Sequence, residues 1–163
     1  MDTLLNDRAT RTPITRTPGS GRTLDVLGAP YVIKASAAET GGGLCCIECE
    51  VPAGSGVPPH THANEDEAFY VLAGTITFEI AGEGLARLGP GSFVYGPRGR
   101  QHAFRNETDA GARMLVTCSP GAAMEQMFTD IDAAARQSGG RLAGEAIGAI
   151  AARYGVVIAP PNP

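Results

Sequence analysis

The sequence predicts an all-β sandwich or barrel followed by two helices, and three observations predict it. Short apolar or alternating runs recur from about residue 30, each closed by Gly, Pro or Asn. Glycine and proline are abundant, at 22 and 12 residues, which favours many turns and therefore short strands. After Cys118 the apolar period changes from that of a strand to that of a helix.

In chain order, residues 1–22 are polar, with Arg8, Arg11, Arg16 and Arg22 spaced between threonines and prolines. This reads as a flexible arm whose arginines are solvated, or one that orders only against a partner. Then come YVIKASA, LCCIECEV, EAFYVLAG, TITFEI, LARL, SFVYG, HAFRN and RMLVTC, broken by GGG, PAGSG, AGE, LGPG and GPRG. Those runs place a β domain over residues 23–119, with LGPGS as a tight turn. PGAAMEQMFTDIDAAARQSGG carries Met124, Met127, Phe128 and Ile131 at helical spacing. Ser119 is the expected cap of this helix and Pro120 its first residue. RLAGEAIGAIAARYG reads as a second helix stopped by Gly155, and VVIAPPNP as an extended tail. Residues 120–163 thus form a helical extension.

The chain has 163 residues, one domain by length and long enough to bury a core. A net charge of -4 argues against a nucleic-acid partner, which needs a basic face. No apolar run approaches the roughly 20 residues of a membrane span. MDTLLNDRATRTP lacks the charged-then-apolar pattern of a signal peptide, so the expected location is the cytoplasm. On a strand, Cys45, Ile47, Cys49 and Val51 share one face, and Cys46, Glu48 and Glu50 the other. Cys45 and Cys49 are therefore expected as small buried hydrophobes rather than zinc ligands or a disulfide.

PPHTHANEDEAFYVLAG, residues 58–74, holds two of the three histidines of the chain. Period two puts His60 and His62 on one strand face and Thr61 on the other. Inside a small barrel, two imidazoles would converge, and a turn through ANED would bring Glu67 to the same place. Such a buried group is costly unless it is paired or binds a metal. His102, in GSFVYGPRGRQHAFRN, completes the set. Three nitrogens and one oxygen suit a divalent Fe, Mn, Co, Ni, Cu or Zn ion, without choosing among them.

These two stretches resemble the cupin family. Its first motif is Gly, five residues, His-x-His, three or four residues, Glu, six residues, Gly, and Gly54, His60, His62, Glu67 and Gly74 fit it. Its second is Gly, five residues, Pro-x-Gly, two residues, His, three residues, Asn, and Gly91, Pro97, Gly99, His102 and Asn106 fit that. The resemblance implies a double-stranded β-helix, or jelly-roll, holding one metal on His60, His62, Glu67 and His102. Glu65 and Asp66 are expected to be solvated, because only Glu67 matches the motif at both ends.

Four protein ligands on an octahedral ion leave two positions for a bidentate substrate, or for substrate and dioxygen. Glu67 is the expected catalytic base toward a substrate hydroxyl. Phe69 and Val71 share its parity and are expected on the substrate pocket wall, with Phe93, Phe104, Met114 and Val116 as further candidates. Met124, Met127 and Phe128 form a stripe that packs on the barrel and could roof the pocket. Arg98 and Arg100 could steer an anionic substrate. DEAFYVLAG, GPRGRQHAF and ARYGVVIAPP also resemble small single-cupin proteins related to quercetin dioxygenase. That resemblance implies dioxygenation of a flavonol-like or other enolic or phenolic compound. The alternatives are a non-oxygenase metal cupin (isomerase, cyclase, decarboxylase or lyase) and a non-enzymatic ligand-binding cupin. A homodimer is expected, since pairing across a two-fold axis protects sheet edges, and the N-terminal arm is a strand it could exchange.

Overall fold

The computed structural model of the protein describes residues 12–26, 28–140 and 142–159. Its strands are β1 (Arg22–Val26), β2 (Ala29–Ala35), β3 (Cys45–Val51), β4 (Gly56–His62), β5 (Asp66–Ala73) and β6 (Ile76–Ile80). They continue as β7 (Gly84–Leu88), β8 (Phe93–Gly96), β9 (His102–Arg105), β10 (Ala112–Ser119) and, after the helices, β11 (Val156–Ile158). The helices are α1 (Ala122–Gln137) and α2 (Gly144–Arg153). One antiparallel sheet runs β1-β2-β3-β10-β5-β8 and the other β11-β4-β9-β6-β7. This is a mostly-β protein of two antiparallel sheets with two helices, an arrangement that fits the double-stranded β-helix.

The strands follow from period-two patterning. In β3, Cys45, Ile47, Cys49 and Val51 are buried while Cys46, Glu48 and Glu50 are not. In β10, Ala112, Met114, Val116 and Cys118 turn inward the same way. Both sheets contribute to one apolar core, with Ile47, Val71 and Met114 from the first and Ile76, Phe78 and Phe104 from the second. On the outer face, Lys34 and Arg113 each pair with Glu48 at 3.2 Å, joining β2, β3 and β10.

Three expectations change. Residues 1–11 of the expected arm lie outside the described residues, but residues 12–21 are tied to the barrel. Arg16 pairs with Glu39, and the Lys34 ammonium donates to the carbonyl of Ser20 at 3.2 Å. Arg22 opens β1 and pairs with Glu125 of α1 at 2.8 Å. These two arginines pair with carboxylates at the surface and both stay exposed to solvent. Ser119 does not cap α1, and Pro120 does not open it. Ser119 is still in β10, its hydroxyl donates to the Gly43 carbonyl at 2.9 Å, and Gly121 caps the helix without a side-chain bond. The C-terminal extension is not purely helical, since β11 pairs with β4 and joins the barrel.

α1 lays Met124, Met127 and Ile131 on the barrel. Its Asp132 accepts from the Asp25 amide of β1 at 2.8 Å and pairs with Arg136 at 2.9 Å. Asp130 joins α1 to the end of α2, accepting from Tyr154 at 2.7 Å and Arg153 at 3.1 Å. No helix among the described residues is long and apolar enough to cross a membrane.

Candidate metal centre

The centre is assembled from both sheets. β4 supplies His60 and His62, and the neighbouring β9 supplies His102 directly opposite His60 in the ladder. β5, from the facing sheet, supplies Glu67, on the inward side with Phe69 and Val71. β11 flanks β4, with Val156 opposite His62 and Ile158 opposite His60. Gly96 of β8 makes room for the His102 ring, since a Cβ there would lie 3.1 Å from its Nδ1.

All four side chains are buried, and one ligand atom from each lies within 4.8 Å of the others. Glu67 Oε2 is the hub, 2.8 Å from His102 Nε2, 3.2 Å from His62 Nε2 and 3.7 Å from His60 Nε2. The other Glu67 oxygen, Oε1, accepts from the Cys118 thiol at 3.4 Å. Burial pushes the Glu67 carboxyl up, but the three imidazoles outweigh it and hold it well below the usual carboxylate range. Burial, reinforced by Glu67, pushes the Cys118 thiol up, so it remains a protonated donor.

The residues fit a metal ion. His60 Nδ1 donates to the Pro58 carbonyl at 2.9 Å and His102 Nδ1 to the Arg100 carbonyl at 3.1 Å. A carbonyl only accepts, so each Nδ1 carries the proton and a neutral ring would turn its Nε2 lone pair to the centre. Neither ring nitrogen of His62 has a hydrogen-bond partner, a costly state for a buried polar ring. A buried group of three histidines and a glutamate is thus suited to hold a divalent ion, whose identity the donor set leaves open.

A cavity of about 340 Å³ opens against this group. His60, His62 and Glu67 reach its wall, whereas His102 sits behind them, edge-on to Phe69 at 5.7 Å between ring centres. Phe69, Phe104 and Val116 line the cavity. Val71 and Met114 point inward too, but they are packed in the core and do not reach it. Phe93, expected on the wall, is 62% exposed, because in β8 it is Val94 and Gly96 that turn inward. The helices roof the cavity with Met127, Phe128 and Ile147. Tyr31 of β2 also lines it, edge-on to Phe128 at 5.5 Å.

The acidic turn departs from expectation. Glu65 is only 2% exposed, and its Oε2 lies 3.8 Å from His62 Nδ1. Asp66 is clamped by Arg98, which donates from its backbone amide, Nε and Nη2 at 2.9–3.0 Å. Arg100 donates to the Ala81 carbonyl at 3.3 Å and is not among the cavity residues. Sequence reasoning missed Glu65, Cys118 and Tyr31. Only Cys118 left a signal, its inward parity with Met114 and Val116.

Residues 47–118 match the family model described as cupin domain. The domain match and the fold together support the cupin superfamily. Among solved structures, KdgF from Halomonas sp. superposes with a TM-score of 0.58 at 23% identity, over 67% of this chain and 96% of that one. The polyketide cyclase RemF from Streptomyces resistomycificus gives 0.57 at 22% identity, over 67% and 80%. At these identities the likeness is one of fold. Among curated proteins, dimethylsulfoniopropionate lyase DddQ from Ruegeria pomeroyi is 44% identical over 55 residues, 34% of this chain. That match spans 27% of the relative's length. In this barrel, Gly54 and Asn106 of the two motifs are structural. The Gly54 amide donates to the Asn106 carbonyl at 2.9 Å, and the Asn106 carboxamide donates to the carbonyls of Val51 and Ala110 at 2.9 and 2.7 Å.

Proposed function

We propose that the protein is a mononuclear metal-dependent dioxygenase of a small, largely apolar substrate bearing an enolic or phenolic oxygen. One observation carries this reading: the cavity beside the metal group is apolar, and Glu67 is its only carboxylate or cationic side chain apart from the histidines among the described lining residues. A substrate there finds no ammonium or guanidinium to hold an anionic tail. Its body packs on Phe69, Phe104 and Phe128, and its oxygen atoms face the histidines. His60, His62, Glu67 and His102 would hold the ion, which would supply Lewis acidity toward a substrate oxygen and redox chemistry toward dioxygen.

The chain's own groups do the rest. Glu67 is the base on the wall, and the imidazoles that keep it ionised also limit its strength. It therefore suits an acidic enol or phenol better than an aliphatic alcohol. Burial raises the Tyr31 hydroxyl well above 10, so it stays protonated and can donate to a substrate oxygen. The roof of Met127, Phe128 and Ile147 presents no polar side chain to hold water beside the reacting atoms. The test is oxygen uptake by protein loaded in turn with Fe, Mn, Co, Ni or Cu, with flavonols and catechols as substrates. Metal-dependent uptake that is lost in His60→Ala/His62→Ala is expected. Substrate turnover without oxygen consumption would overturn the reading.

The curated match favours a second reading, a lyase. The aromatic wall suits a sulfonium, and the carboxylate of such a substrate would have to face the metal, since the described lining offers no Lys or Arg. Loss of dimethylsulfoniopropionate under anaerobic conditions, followed by proton NMR, separates the two.

A further inference from the structure

The three metal-facing histidines are not held alike. His60 and His102 each direct Nδ1 to the backbone carbonyl two residues earlier, Pro58 and Arg100. His62 has no such carbonyl. Its Nδ1 is buried without a partner, and so is Glu65 Oε2, 3.8 Å away. Each atom is what the other lacks, a donor and an acceptor. Glu65 cannot itself be the fourth ligand in this arrangement. It faces the Nδ1 edge of the ring, while Glu67 sits 3.2 Å from Nε2.

We propose that Glu65 is a positioning residue, whose Oε2 accepts the Nδ1 proton of His62 and so aims the Nε2 lone pair at the metal. The inference rests on the metal reading above. A hydrogen bond needs the pair to close by roughly 1 Å, and closing it satisfies two stranded buried groups at once. The turn that carries Glu65 is held from both sides. The Ala63 amide donates to the Gly155 carbonyl at 2.9 Å, the Gly99 amide donates to the His62 carbonyl at 2.8 Å, and Arg98 clamps Asp66. A carboxylate acceptor makes an imidazole a stronger donor to metal than a carbonyl does. His62 thereby becomes a stronger donor to the metal and Glu65 a determinant of metal retention.

The experiment uses full-length protein and cobalt(II) alone. Wild type, Glu65→Gln and Glu65→Ala are titrated with Co2+ against a competing chelator, with thermal midpoints of the metal-free forms recorded beside them. Glu65→Ala is expected to weaken cobalt affinity by about 10- to 100-fold. Glu65→Gln, whose amide oxygen still accepts the proton, should lose less. In the proton spectrum of the cobalt form, the exchangeable His62 ring N–H signal should vanish in Glu65→Ala and move upfield in Glu65→Gln. Saturable binding by wild type with equal affinity and unmoved N–H signals in the variants would overturn the role of Glu65 and leave the metal centre standing. An unmoved signal in Glu65→Gln does so even if Glu65→Ala fails to fold. No saturable binding by wild type would overturn both readings.

Discussion

At the scale of single residues, the candidate centre depends on groups that never touch the cavity. Cys118 holds the outer oxygen of Glu67. Cys118→Ala leaves a buried carboxylate oxygen short of a donor, at a cost of about 1–3 kcal/mol. Urea unfolding of the metal-free protein should show that loss, and Cys118→Ser, which keeps a donor, should recover most of it. Gly96→Ala pushes a methyl toward His102 Nδ1, so elemental analysis after dialysis should find less retained metal than in wild type. Away from the centre, the Arg136 guanidinium holds the Asp132 carboxyl below its ordinary 3.8 against burial, helped by the Asp25 amide. A depressed folded pKa contributes stability above the unfolded pKa and loses it as pH falls through the folded one. Wild type should therefore exceed Asp132→Asn in stability at pH 7, and the two should converge in acid below the ordinary carboxylate range. The four expected ligands were legible because fixed spacing carries them. Glu65 was not, because a carboxylate in a polar run looks solvated until the turn is folded against Gly155 and the loop of Arg98 and Gly99.

At the scale of elements, parity was readable and depth was not. Period two puts Val71 and Met114 inward with Phe69 and Val116. Distance along the strand from the metal decides which of them meets the cavity, and that is a property of the packed barrel. β8 has only four residues, too short a run for its face to be assigned, and Phe93 fell on the outside. β4 is rich in proline and shows little apolar alternation, so its strand character comes from pairing with β9 and β11. Gly155 lets the chain turn from α2 into β11. Its φ is +75°, and a Cβ there would come within 2.9 Å of Asn64 Nδ2. Gly155→Ala should cost roughly 1–2 kcal/mol in backbone strain alone. It should also speed hydrogen exchange at Thr61 and His62, which β11 covers.

At the scale of the whole molecule, the core spans both sheets, so a cavity anywhere in it is felt globally. Ile47→Ala should cost about 2–5 kcal/mol, read as a lower urea midpoint with an unchanged slope. The outer face of β5 and β8 exposes Tyr70, Leu72, Phe93 and Tyr95 beside one another. The expected homodimer would cover such a patch. If it does, Phe93→Glu should shift the sedimentation coefficient of wild type toward a monomer's, and a wild-type monomer would dispose of the dimer.

By itself the sequence determined the alternation of short strands, the switch to helices after Cys118, and the four side chains able to meet at one metal. Those are local properties, since period, turn chemistry and motif spacing are written in neighbouring residues. Only the tertiary structure decided that β5 faces β4 and β9 across the barrel, that β11 returns to seal the ligand strand, and that Glu65 lies buried behind His62. These depend on which surfaces pack together, and packing joins residues whose separation in the chain carries no signal of their contact.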